Sequence, residues 1–278
     1  MAHRVAIVGS GNFGTTLAKV IGENLTERHE GELSAFVPEV KMWVYEEMIG
    51  DRKLSEIINT EHENVKYLKG IKLPPCVKAV PDIREAVKGA DYILFVVPHQ
   101  FLMSTLGQVK AEDLPKNATG ISAIKGVHIE GDSIEILPVS ISRLWKIPCG
   151  GIAGANIAQD VAECKFCEST IAFNDPKVDD KVIENWRYLF ERPYLRIDVI
   201  KDVVFQQLLG TLKNVVAVAG GFVDGLNLGC STKAAILRIG MKEMYKFART
   251  FFPEAHCSSE TLLESCGSRR YNRHVFRW

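Results

Sequence analysis

A chain of 278 residues, 46 % hydrophobic, can bury one large core or two ordinary ones. Its 34 basic and 34 acidic side chains cancel, so charge gives no reason to expect nucleic acid or an anionic membrane as partner. No apolar run reaches the about 18 residues of a bilayer span, and the N-terminus opens on a strand where a secretory leader would show basic, apolar and then small residues. Seven cysteines without framework spacing read as reduced thiols of a cytoplasmic protein. Cys164-x-x-Cys167 has no second pair at zinc spacing, reads as two buried thiols, and no metal site is expected.

The first segment carries the strongest local signal. Residues 4–8 read as a strand and about 13–23 as a helix, and between them stands Gly9-Ser10-Gly11-Asn12-Phe13-Gly14. Strand, Gly-x-Gly-x-x-Gly and helix in that order form the phosphate-binding turn of a dinucleotide fold. Gly9 permits the sharp turn, Gly11 leaves room for a pyrophosphate, and Gly14 lets helix and sheet approach. The helix start offers free N–H groups and a partial positive charge.

Asn24 to Pro38 reads as an irregular insert, and Met42 to Tyr45 as the second strand. Glu46 then stands where such folds hold the adenosine ribose, although a solvated strand end explains it equally well. No arginine follows at once, which favours NAD over its 2′-phosphorylated form. Leu54 to Asn64 reads helical, with Ile57, Ile58 and His62 as face markers. Val77 to Val80 is a strand, and Asp82 caps a helix that Gly89 ends. Tyr92 to Val97 is a continuous apolar run, the mark of a strand buried on both faces. The turn Pro98-His99-Gln100-Phe101 lies at its carboxyl end, where open sheets bind ligands. Gly120 to Ile124 is a strand delivering Lys125-Gly126. Ile134 to Leu144 reads as a helix that Pro138 interrupts. Gly150 to Ala153 opens on Gly154-Ala155-Asn156-Ile157-Ala158. Ser169–Ala172 and Tyr194–Val199 are strands around a helix near 179–190.

This alternation predicts an α/β fold: a doubly wound, mostly parallel, Rossmann-like sheet over residues 1–200. From about Val203 only helices appear, over Leu208–Val223 and Lys233–Phe252. They begin an incomplete all-helical second domain, 201–267, with Ala234, Leu237, Met241, Met244 and Phe247 as a core face.

Lys213-Asn214 sits inside an apolar helix, where a lysine needs a partner or a task. With Lys125 and Asn156 at strand mouths, it suits a small anionic carbonyl compound. One ammonium would polarise or protonate the carbonyl oxygen and the other would neutralise charge.

These motifs resemble, in order, those of the cytoplasmic, animal-type NAD-dependent glycerol-3-phosphate dehydrogenase family. The segments are Ile7 to Gly14, Leu54 to Thr60, Phe95-Val96-Val97-Pro98-His99-Gln100-Phe101, Ile124 to Val127, Gly154 to Ala158, Leu212 to Ala217 and Leu263-Glu264-Ser265-Cys266-Gly267. The resemblance implies hydride transfer between NAD and the pair dihydroxyacetone phosphate and glycerol 3-phosphate. It implies Lys213 as the catalytic lysine and Lys125, Asn156 and Asn214 as substrate contacts. Gly9, Ser10, Gly11, Asn12, Phe13, Gly14, Tyr45, Phe101, Lys125 and Ala158 would touch the cofactor. A cytoplasmic homodimer is implied, without nucleic-acid or membrane partners. Another two-domain dehydrogenase, for a hydroxyacid or an imine, is the competing plan; the Pro98-His99-Gln100 turn argues against it.

After Gly267 the resemblance stops. The family continues with Val-Ala-Asp-Leu and a Gly-Gly-Arg-Asn phosphate-binding turn, whereas residues 268–278 form an arginine-rich tail of another kind. A one-base frame shift would turn the family's Val-Ala-Asp into Ser268-Arg269-Arg270, so a splice form or reading-frame artefact is one expectation. On that reading the chain is a truncated NAD-binding form with little or no turnover, with apolar faces of 208–252 left uncovered.

Overall fold

The computed structural model describes residues 2–255 and 257–267. The first apolar run becomes β1 (His3–Val8), and Gly11 caps α1 (Asn12–Glu27). β2 (Phe36–Trp43) follows, then the small hairpin β3 (Met48–Ile49) and β4 (Arg52–Lys53). The chain continues through α2 (Leu54–Glu61), β5 (Val77–Val80), α3 (Ile83–Val87), β6 (Tyr92–Phe95), α4 (His99–Leu106) and β7 (Thr119–Ser122). A second hairpin, β8 (Val127–Glu130) and β9 (Ser133–Ile136), leads into α5 (Leu137–Trp145). β10 (Cys149–Ala155), α6 (Ala158–Ala162), β11 (Cys167–Ala172), α7 (Asp180–Phe190) and β12 (Leu195–Ile200) come next. Two long helices, α8 (Val203–Gly225) and α9 (Cys230–Phe251), precede a short 3-10 turn, Ser259–Leu263.

Eight strands form one sheet in the order β12-β11-β10-β7-β6-β1-β2-β5. Every neighbouring pair is parallel except β10 and β11. The architecture is the expected one: a Rossmann-like, mostly parallel sheet followed by helices. Alternation along each strand feeds two cores. Val5, Ile7, Tyr92 and Leu94 face α1 and α7, in one cluster with Leu17, Ile21, Trp186 and Phe190. Ala6, Val8, Ile93 and Phe95 face the other way, with Ile83, Leu102, Ile141 and Trp145. Even the polar atoms of the first core are matched: Trp186 Nε1 donates to Thr119 Oγ1 at 3.1 Å and Asn185 Nδ2 to the Tyr92 hydroxyl at 2.8 Å.

Several local expectations need correction. The insert before β2 is shorter than expected, because α1 runs on to Glu27 and β2 starts at Phe36. Pro38 lies inside that strand. The register shifts there, with His3 opposite Phe36 but Val5 opposite Val40, so the proline sits in an irregularity that needs no ladder N–H. His62 is a left-handed helix cap at φ +53° rather than a face marker. Pro98 caps α4, so His99–Phe101 are its first turn instead of a loop. Pro138 starts α5 instead of interrupting it, and Ile134 belongs to β9; a proline in the first helical turn removes no helix hydrogen bond. Cys167 is buried as expected, but Cys164 is exposed, at φ +58°.

The helical part has its own core, built from Phe205, Leu208, Leu209 and Val216 against Leu237, Met244 and Ala248. Ala234 is exposed, and Ala248, one turn beyond Met244, joins this core. Val215, Val218 and Phe222 leave an apolar stripe of α8 in solvent. By length and composition α8 could cross a membrane, contrary to the sequence reading, but half of it is buried inside this fold. Asp202 ties the start of α8 to the segment that follows α9. Its carboxylate accepts the Phe205 N–H at 3.1 Å as the α8 cap, and also the Ser258 N–H and the Thr261 hydroxyl, both at 2.9 Å. Asp202→Ala removes a cap and strands two further donors, so a loss of about 2–3 kcal/mol is expected in urea unfolding.

Candidate active site

The strand order builds the site. β10, β7, β6, β1 and β2 lie side by side and parallel, so their carboxyl ends share one edge. Along it stand, in spatial order, Asn156 after β10, Lys125 after β7, Phe101 in the first turn of α4 after β6, the Gly9–Gly14 turn after β1, and Tyr45 after β2. Ligands bind at this edge in open α/β sheets.

The glycine turn fits a dinucleotide. Gly9 sits at φ +122°, and a Cβ there would lie 2.7 Å from the Val96 carbonyl oxygen. A Cβ on Gly14 would lie 2.2 Å from the Gly9 carbonyl oxygen, so helix and turn touch backbone to backbone. A Cβ on Gly11 meets nothing within 4 Å: it would project into the space a pyrophosphate needs. No side chain caps α1 and no acid stands in its first turn, so the N–H groups of that turn remain available to an anion. Ser10 is buried, Asn12 is exposed, and Phe13 packs at the margin of the core. Tyr45 and Phe101 present exposed rings on either side of the turn, 75 % and 56 % accessible.

One residue that shapes the turn escaped the sequence reading. Asn64 is fully buried, and its Nδ2 donates to the Ser10 carbonyl at 2.9 Å and to Thr15 Oγ1 at 2.8 Å. Thr15 in turn donates to the same carbonyl. In the sequence Asn64 reads only as the last residue of the helix expected over Leu54–Asn64, a position that any polar residue fills; α2 in fact ends at Glu61. The Asn12 amide reaches the Tyr67 carbonyl at 2.9 Å, closing the turn from the same side. Ala158 accepts a hydrogen bond from Thr16 through its carbonyl at 3.3 Å, which sets the start of α6 beside α1. Glu46 is neither a solvated strand end nor an idle carboxylate: it accepts the Ser55 N–H at 3.2 Å and the Ser55 hydroxyl at 2.5 Å, anchoring the loop after β2 to α2.

The lysines reach the edge by different routes. α8 packs along β10: a Cβ built on Gly151 would collide with the Gln207 side chain, and one built on Gly210 would lie 3.7 Å from the Ala153 Cβ. Lys213, one turn further along α8, extends this progression toward the carboxyl end of β10, after which Asn156 stands. Lys213 is 6 % accessible and Asn156 7 %. Asn156 Nδ2 donates to Ser169 Oγ at 2.8 Å, which fixes its amide. Burial pushes the Cys266 thiol up to about 12, against the opposing pull of the nearby Lys213 ammonium. Lys125 is exposed on its turn, and the next N–H, that of Gly126, donates to Thr211 Oγ1 on α8 at 3.0 Å. Asn214 is exposed, one helical step of about 100° away from Lys213, and so faces solvent instead of the strand end.

A dinucleotide cradle with a buried lysine and an exposed one gathered at the same sheet edge defines a two-part, nicotinamide-type dehydrogenase. A family model described as the NAD-dependent glycerol-3-phosphate dehydrogenase N-terminus matches residues 4–179, and the corresponding C-terminus model matches 202–268. The chain belongs to the NAD-dependent glycerol-3-phosphate dehydrogenase family.

It is 48 % identical over 264 residues to the cytoplasmic glycerol-3-phosphate dehydrogenase [NAD(+)] of Rattus norvegicus, covering 95 % of this chain and 72 % of that one. The Drosophila melanogaster enzyme of the same name is also 48 % identical, with 69 % of its length covered. The solved glycerol-3-phosphate dehydrogenase of Saccharomyces cerevisiae superposes with a TM-score of 0.90 at 42 % identity, over 99 % of this chain and 78 % of that one. These likenesses favour a dehydrogenase over an NAD-binding form with little turnover. Residues 268–278, read above as a foreign tail, lie outside the described residues.

Proposed function

We propose that this chain is an NAD-dependent glycerol-3-phosphate dehydrogenase that interconverts dihydroxyacetone phosphate and glycerol 3-phosphate, as a cytoplasmic homodimer. The observation that supports it most is the shared carboxyl edge: the Gly9–Gly14 cradle, Lys125, Asn156 and the Lys213 turn of α8 all stand there. Residues 1–200 form the cofactor part and 201–267 begin the substrate part.

Bound NADH supplies a hydride. The chain's own residues do the rest. The first-turn N–H groups of α1 would hold the cofactor's pyrophosphate, and Tyr45 and Phe101 would bracket the cofactor. Lys213 holds its ammonium at the ketone oxygen, where its charge is worth more because the site is buried, and gives that oxygen a proton as it becomes a hydroxyl. Lys125 offsets the charge of the anionic substrate from the open side. Asn156 orients the substrate, with its amide held by Ser169, and Asn214 is the further substrate contact that the family resemblance implies.

Loss of NADH absorbance by the purified chain with dihydroxyacetone phosphate tests this. Turnover that needs the phosphorylated ketone, and is absent with unphosphorylated dihydroxyacetone, is the expected result. Equal rates with both, or none with either, would refute the reading.

A further inference from the structure

We infer that Thr211 is a positioning residue for the two lysines, a latch that sets the Lys125 turn against the helix carrying Lys213. The inference rests on the site reading above. The Thr211 hydroxyl is used twice: it donates to the Gln207 carbonyl at 3.0 Å and accepts the Gly126 N–H at 3.0 Å. The first bond, to the carbonyl one helical turn back, locks the side chain of a β-branched residue. The second joins β7's outgoing turn to α8, two residues before Lys213 on one side and one residue after Lys125 on the other.

The turn has little freedom to find another partner. Gly126 sits at φ +142°, a conformation that glycine alone adopts readily. A Cβ on it would meet the His99 Cβ and Cγ at 3.3 Å. Gly126 is therefore held between His99, in the first turn of α4, and Thr211 on α8. This junction joins the cofactor part to the helical part at the site itself. The α8 backbone ladder forms without the hydroxyl, so what the hydroxyl alone supplies between elements is the bond to Gly126.

Thr211→Val keeps the shape and removes the hydroxyl, and Thr211→Ser keeps the hydroxyl. Thr211→Val is expected to lower kcat/KM for dihydroxyacetone phosphate by about 10- to 100-fold, the cost of misplacing a working group. NADH affinity should stay within about twofold, and Thr211→Ser should recover to within about threefold of the parent. In a Lys125→Met background, Thr211→Val should have a smaller further effect, because the part of its cost that comes from misplacing Lys125 is already lost. Parent-like kinetics in Thr211→Val, equal damage in Thr211→Ser, or full additivity with Lys125→Met would overturn the latch.

Amide exchange at Gly126 is a readout that needs no turnover. It should be protected in the parent and in Thr211→Ser, and open in Thr211→Val. A Gly126 amide that exchanges freely in the parent overturns the latch even if every variant misfolds. A parent without activity but with a protected Gly126 overturns the proposed function and leaves the latch standing.

Discussion

Gly14→Ala and Gly11→Ala are expected to fail in different ways, because their Cβ atoms meet different things. A Cβ on Gly14 would collide with the Gly9 carbonyl oxygen at 2.2 Å, and backbone on both sides has no room to yield. The helix must then lift from the turn. Overpacking of this kind costs about 1–3 kcal/mol, so urea unfolding should show that loss together with loss of NADH binding. A Cβ on Gly11 meets no atom, and its backbone, φ −63° and ψ −179°, suits any residue. Stability should stay within about 0.5 kcal/mol. NADH fluorescence titration should nevertheless show binding weakened at least about tenfold, because the methyl group enters the pyrophosphate space and each lost contact of about 1.4 kcal/mol is a factor of ten. A Gly11→Ala chain that binds NADH like the parent would remove the cradle from the argument.

Lys213→Met should be the most damaging single change to turnover. It keeps the length and apolar stem of the side chain and deletes only the ammonium. Removing one charge-stabilising donor from a preorganised site costs about 10²–10³ in kcat, and loss of a positioned acid costs a comparable factor. A fall of at least about 10³-fold in kcat/KM is therefore expected, since both roles rest on one group. NADH affinity should be unchanged, because the cradle is built by other residues. Lys213→Arg keeps the charge but spreads it over a planar fork that does not fit a point contact, so it should recover little. Normal kinetics in Lys213→Met would transfer the catalytic role elsewhere.

Much of this molecule was legible in its sequence, and the reason is periodicity. Runs such as Tyr92–Phe95 are apolar at every position because the sheet is covered on both faces. The helix expected near 179–190 forms as α7, where the Asp179 side chain caps it by accepting the Val182 N–H at 2.9 Å. Errors came where a residue's meaning depends on a neighbour distant in sequence. Pro38 reads as part of the insert before the second strand, because the register shift that lets it sit inside β2 is made with β1. Pro138 looked like an interruption because the β8–β9 hairpin just before it has only four residues per strand. Glu46 looked free because its partner, Ser55, lies beyond another hairpin.

What the chain determines by itself is a set of local chemistries: a glycine turn between strand and helix, lysines in unusual settings, apolar runs of the right length. Those follow from backbone geometry and burial within a few residues. Only the tertiary structure decided that they meet. Parallel pairing sends the mouths of β10, β7, β6, β1 and β2 to one edge, and the packing of α8 along β10 carries Lys213 to that edge. No local pattern encodes strand order, because it is set by which apolar faces cover one another once the whole chain has collapsed.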